Sequence, residues 1–203
     1  FISELTTGMY INADNNFPWQ RVPVLAGVIK TASDINGVDT NYKKLFNAAA
    51  RASIKTGTPI ISHTEMGKGA LEQIQLFREY GVPADSIIIC HLDRNVKDIC
   101  YHLHVAKTGV YMEFDTIGRF KYHSDEDEAE FLLKMVDNGY EDRILIGLDT
   151  TRERMINYGG SIGLAYIKNN FIPLLKRYGL TEEIIKKFVI DNPAKAFSKY
   201  NNI

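Results

Sequence analysis

Ser86-Ile-Ile-Ile-Cys-His91 decides the reading of this chain. Three isoleucines and a cysteine leave no position for a wet face. A short run of that kind, bounded by turns and helical stretches, reads as a parallel strand buried on both sides. The pattern recurs outward. Val24-Leu-Ala-Gly-Val-Ile-Lys30 and Pro59-Ile-Ile-Ser-His63 lie before it, and Arg143-Ile-Leu-Ile-Gly-Leu-Asp149 lies after it. Each closes on a side chain with chemistry. Val110-Tyr-Met-Glu-Phe114 supplies a further strand.

Helical spacing fills the gaps. Helices are expected over 42–55, 69–80, 96–107 and 125–138, with stops at Gly57, Gly81, Gly109 and Gly139. Two more are expected over 162–178 and 181–190, and Asp191-Asn-Pro-Ala194 leads into a last short turn. Strands alternating with helices predict an α/β fold with a parallel sheet, in a single domain over 1–203. Five strands do not close a (β/α)8 barrel, which typically needs about 250 residues. The sheet is therefore either open and doubly wound or a portion of a barrel. Phe1–Gly8 reads as the end of a helix. The segment 10–23 reads as a long polar loop with Asn12, Asp14, Asn15 and Asn16. Within it, Trp19, near Phe17 and Pro18, suits a pocket cover, a dimer contact or burial against the barrel side.

The chain's 24 basic and 25 acidic residues leave a net charge of -1. That balance argues against a nucleic-acid or membrane surface. The apolar runs fall short of a membrane span, and the N-terminus lacks signal-peptide features, so a cytoplasmic location is expected. Cys90 in its strand and Cys100 in its helix read as reduced thiols. Alternation is expected to turn Cys90 away from the face His91 uses.

Lys30, His63, His91 and Asp149 are placed at C-terminal strand ends, where α/β barrels gather their chemistry. Two imidazoles, a carboxylate and a lysine there suggest a hydrolytic metal site. The competing readings are a solvated lysine, hydrogen-bonded structural histidines and an aspartate capping a helix. Arg94 and Asp93 either line the pocket or pair locally. Tyr158-Gly-Gly160 reads as a flexible lid segment.

A longer ordered set of residues carries a resemblance. It comprises Ala26-Gly-Val-Ile-Lys30, Ala48-Ala-Ala-Arg-Ala52, Thr56-Gly-Thr-Pro-Ile60, His63-Thr64 and Cys90-His-Leu-Asp-Arg-Asn95. Phe114-Asp-Thr-Ile-Gly118, Asn138-Gly-Tyr-Glu-Asp-Arg-Ile-Leu145, Asp149-Thr150 and Asp191-Asn-Pro-Ala194 continue it. In order and spacing the chain resembles, over essentially its whole length, the phosphotriesterase family of the amidohydrolase superfamily. The resemblance implies the C-terminal five strand–helix units of a (β/α)8 TIM barrel, with the N-terminal strands absent from this chain. It implies that Lys30 is carboxylated and bridges two divalent cations. His63 and His91 would be ligands of the more exposed cation. Asp149 would be a ligand of the more buried one and the catalytic proton acceptor.

The family's His-x-His pair at the first barrel strand has no counterpart here, because His102 and His104 fall in an expected helix. Zinc suits His and carboxylate donors, and manganese, cobalt and iron also fit. A lysine buried there loses its proton readily, and the neutral amine can add carbon dioxide to give a carbamate with two oxygens. Arg119 and Lys121 after one strand, with Arg152 and Arg154 after the next, could bind a substrate phosphate. The start of that last loop, Asp149 to Arg152, resembles the lactonase branch. The implied function is a hydrolase that opens a phosphorylated sugar lactone through a metal-bridging hydroxide. The alternatives are a phosphotriester hydrolase, for which these loops look too basic, and a non-catalytic remnant or interaction module. The expected partner is a small lactone or phosphoester, and a homodimer is compatible with the sequence.

Overall fold

The computed structural model describes residues 1–11 and 20–200. Trp19, Phe17 and Pro18 lie outside the described residues, as does the middle of the expected polar loop. Its two ends pair. Helix α1 (Ile2–Thr6) leads into β1 (Met9–Tyr10), antiparallel to β2 (Arg21–Val22). Arg21 holds the pair in place by donating to the carbonyl oxygens of Ser3 (3.2 Å) and Gly8 (2.7 Å).

The main sheet runs β3 (Ile29–Ala32), β4 (Ile60–His63), β5 (Ile87–Cys90), β6 (Tyr111–Phe114) and β7 (Ile144–Ile146). All four pairings are parallel, and the spatial order is the chain order. A doubly wound sheet reverses its order at a switch point. This one does not, so the barrel alternative holds. The crossovers are α2 (Thr40–Thr56), α3 (Ala70–Glu79), α4 (Ile99–Lys107) and α5 (Asp125–Asp137). Then come α6 (Ile172–Arg177), entered through a π-helical turn at Ile167–Phe171, and α7 (Glu182–Lys186), left through another at Lys187–Asp191. Helix α8 (Asn192–Ala196) closes the order.

The period-two pleat sorts the strands' side chains into two cores. Ile29, Ile60, Ile87, Ile89, Met112, Phe114 and Ile144 pack outward under the helices, against Phe46, Phe77 and Leu132. Ile88, Tyr111 and Leu145 point inward and meet Ile61 and Ala196. Strand β5 is buried throughout, which explains its unbroken apolar run. The hydroxyl of Ser62, polar within an apolar strand, donates to Gln73 (2.6 Å) and accepts from Thr31 (2.8 Å).

Several boundaries differ from expectation, β7 ending at Ile146 rather than Asp149 and α4 starting at Ile99 rather than Val96 among them. Residues 24–28 are not strand; Val24 and Leu25 are exposed. Strand β3 begins where Ile60 becomes available as the partner of Ile29. Lys30 is therefore the second residue of its strand rather than its last. It lies on the sheet's edge strand and is exposed rather than buried. The helix expected from Ile162 starts later, because Ile162 is held in a bridge to Met155.

At the end of α2, Gly57 adopts a left-handed conformation (φ 67°). A β-carbon there would sit 2.1 Å from the Tyr200 carbonyl oxygen. The close approach lets the Tyr200 amide donate to the Gly57 carbonyl (2.9 Å), tying the chain's last turn to its first long helix. Among the described residues, no helix is long and apolar enough to cross a membrane.

Candidate metal centre

The C-terminal edge of the sheet gathers the expected side chains. His63 ends β4, and its carbonyl accepts from the Gln73 amide (3.0 Å). His91 follows β5 with φ +62°, a left-handed geometry uncommon outside glycine. The Thr64 hydroxyl donates to the Cys90 carbonyl (2.7 Å), pinning the two strand ends together. The His63 and His91 rings lie 4.5 Å apart, at 76° to one another.

Asp115, one residue past β6, fixes the second ring. Its Oδ1 lies 2.7 Å from His91 Nδ1, and both groups are buried. The opposite nitrogen, Nε2, is thereby the one available to a ligand. Burial, then the Arg94 guanidinium, pushes His91 down to about 4. His63 is also lowered, by burial first and then by His91, Arg94 and Lys30. Both rings are neutral at pH 7, the state a cation requires. Burial pushes the Asp115 carboxyl well up, and Glu113 and Asp149 add to the effect.

Asp149 lies beyond β7 with φ +40° and accepts from Arg119 and, at 3.4 Å, from Arg94. Arg94 also holds Glu65 at 2.9 Å. The N-cap of the short turn at Arg152–Arg154 is Thr151, so Asp149 does not serve as its cap. Lys30 points to the inner face, its Nζ 3.5 Å from Cys90 Sγ. Cys90 pairs in register with His63 and shares that inner face. His91 departs from simple alternation through its left-handed backbone, so the expectation that Cys90 turns away from the site is corrected. Cys90, Glu113 and Asp115 have donor atoms within 4.8 Å of one another.

The basic loops divide. Arg154 is half-buried and donates to the carbonyls of Leu148, Asp149 (3.1 Å) and Ile117 (3.2 Å), stitching two loops together. Arg119 is engaged by Asp149. Lys121 and Arg152 stay exposed on the rim, beside the rings of Tyr122 (4.6 Å) and Tyr158 (5.4 Å). His102 is spent structurally: its nitrogens face the carbonyls of Asp98 (2.7 Å) and Leu92 (2.9 Å).

Sequence reading missed Asp115, Glu113 and Glu65, and left Arg94 unranked. Asp115 was within reach, because it follows β6 as His91 follows β5. The link from Arg94 to Asp149 joins loops 55 residues apart and leaves no local signal.

A model of the phosphotriesterase family matches residues 19–197. The chain is 35% identical over 211 residues to a phospho-furanose lactonase of Mycoplasmopsis synoviae, covering 99% of this chain and 59% of that one. An amidohydrolase structure from Mycoplasma synoviae superposes with TM-score 0.94 and 34% identity, over 100% of this chain and 59% of the other. A lactonase from Listeria monocytogenes gives TM-score 0.85 and 37% identity, over 89% and 56%. The chain thus spans less than two thirds of these relatives' length.

Proposed function

The chain belongs to the phosphotriesterase family of metal-dependent hydrolases, and from that premise we propose that it carries most of a binuclear centre that opens a phosphorylated sugar lactone. The observation that supports this best is the pair of neutral, edge-to-face imidazoles on adjacent strand ends, one locked through Nδ1 by Asp115. The donor set fits a divalent cation held by His63 and His91. A second would be held by Lys30, as its carbamate, and Asp149. Zinc suits these nitrogen and oxygen donors, with manganese, cobalt or iron as substitutes. When bound, the cations would polarise the lactone carbonyl and acidify the attacking water.

The chain's own residues do the rest. Asp149 takes the attacking water's proton and returns it to the leaving alkoxide. Arg94 and Arg119 hold that carboxylate in place. Asp115 orients His91. Lys121 and Arg152, exposed on the rim, bind the substrate phosphate, with Arg119 beside them. Arg154 shapes the loop floor through its carbonyl contacts.

Elemental analysis of the purified chain tests the centre. Transition metal should be bound, and His91→Ala should lose the equivalent held at His63 and His91; a chain that binds none there is a remnant, not an enzyme. The substrate reading is tested by Arg152→Ala. Losing a charge-assisted contact of about 1.5–3 kcal/mol should raise KM for phosphorylated lactones roughly ten- to a hundred-fold. Plain lactones should be affected little. Equal effects on both would reject the phosphate assignment.

A further inference from the structure

A second group of ligating side chains lies behind the first site. Asp93 sits in the turn after β5, His123 in the loop after β6, and Glu128 in the first part of α5. Their donor atoms lie within 4.8 Å of one another. Asp93 and Glu128 are both 0% exposed. Among the described residues, Asp93 Oδ1 and both Glu128 oxygens lack a hydrogen-bond partner. Three carboxylate oxygens fully out of water and without a hydrogen bond call for a proton or a cation among them.

His123 reinforces the point. Its Nδ1 lies 2.9 Å from the Ser124 carbonyl oxygen, which can only accept, so Nδ1 carries a proton. In the neutral ring Nε2 then presents a lone pair. That lone pair faces Glu128 Oε2 at 3.1 Å and the Thr116 hydroxyl at 3.3 Å. Lone pair against carboxylate is repulsive unless something positive lies between them.

We propose that Asp93, His123 and Glu128, with the Thr116 hydroxyl, form a second, structural site for a divalent transition cation such as Mn2+ or Zn2+. One imidazole nitrogen with carboxylate and hydroxyl oxygens is a donor set that suits either ion. Separations near 3 Å between donors match neighbouring ligands on one ion. Access exists, because His123 borders a cavity of about 490 Å³ that is also lined by Arg94, Tyr122 and Phe131. Burial pushes the Glu128 carboxyl well up, as expected for an acid whose counter-charge is missing. The cation would fasten the β5 and β6 loops to α5. Asp93 Oδ2 already accepts from the amide of Thr116 (2.5 Å), the residue after Asp115.

The test is crystallographic, on the intact chain with Mn2+, using data on both sides of the manganese absorption edge. An anomalous peak within roughly 2.5 Å of His123 Nε2 and a Glu128 oxygen is expected. No peak there, whether or not one appears between His63 and His91, overturns the proposal. In solution, Glu128→Gln should lose about one bound Mn2+ per chain and His91→Ala should keep that equivalent. Retention by Glu128→Gln also overturns it. If that variant does not fold, the crystal of the unaltered chain decides. Peak position separates failure here from failure of the centre at His63 and His91.

Discussion

His91 concentrates the residue-scale chemistry, because one side chain is set by a left-handed backbone, a buried carboxyl and a nearby guanidinium. Asp115→Asn keeps the shape but changes which proton His91 Nδ1 meets. Loss of such a supporting partner typically weakens metal affinity roughly ten- to a hundred-fold. A chelator competition titration should show that fall, and unchanged affinity would mean that Asp115 does not orient the ring. Metal-free stability should also carry a His91 signature. Its folded value, about 4, lies below the ordinary 6.5, so between those values the unfolded chain binds more protons. His91 therefore costs stability as pH falls from 6.5 towards 4. Asp93, pushed up to about 7 by burial, works the other way and gains stability as pH falls from 7 towards 3.8. Subtracting the urea-unfolding profile of His91→Gln from that of the unaltered chain isolates the first effect. A flat difference would contradict it. The histidines were legible in the sequence because each ends an apolar run, whereas Lys30 was read as buried. Burial depends on what lies across the inner face, and periodicity along one strand does not report that.

At the element scale, the five strands were legible because double-sided burial leaves an unmistakable apolar run. The β1–β2 pair was not, since two residues per strand hold too little pattern and Arg21 does much of the fastening. The start of β3 was misplaced because Val24 and Leu25 are apolar yet have no strand beside them to pair with. Asn192 shows how the C-terminal turns are fixed. Buried at the start of α8, its amide donates to the carbonyls of Glu141 and Ile144, both at 2.8 Å. Asn192→Ala would orphan both acceptors and should destabilise by about 1–3 kcal/mol, measured by urea unfolding. A change under about 0.5 kcal/mol would show that the contacts are replaceable. Ser124→Ala breaks a reciprocal capping box with Asp127 and should cost about 1 kcal/mol in the same assay.

Across the whole molecule, the sequential parallel order decides between barrel and doubly wound sheet, a choice the sequence left open until its resemblance was considered. Among the described residues, β3 and β7 each pair on one side only. Unpaired strand edges recruit further strands. Light scattering should therefore show an apparent mass that rises with protein concentration, and a constant monomer mass would show that the edges are blunted. The tie between Tyr200 and Gly57 has a consequence for the order of assembly. It is a long-range contact, and the Tyr200 hydroxyl also meets the Ser53 hydroxyl, 147 positions earlier. During synthesis from the N-terminus, domains begin to fold before the chain is complete. Helix α2 leaves the ribosome well before Tyr200 does, so its C-terminal end gains this partner only later. A chain arrested before Tyr200 therefore carries a defect at the end of α2, far back in the sequence from the point of arrest.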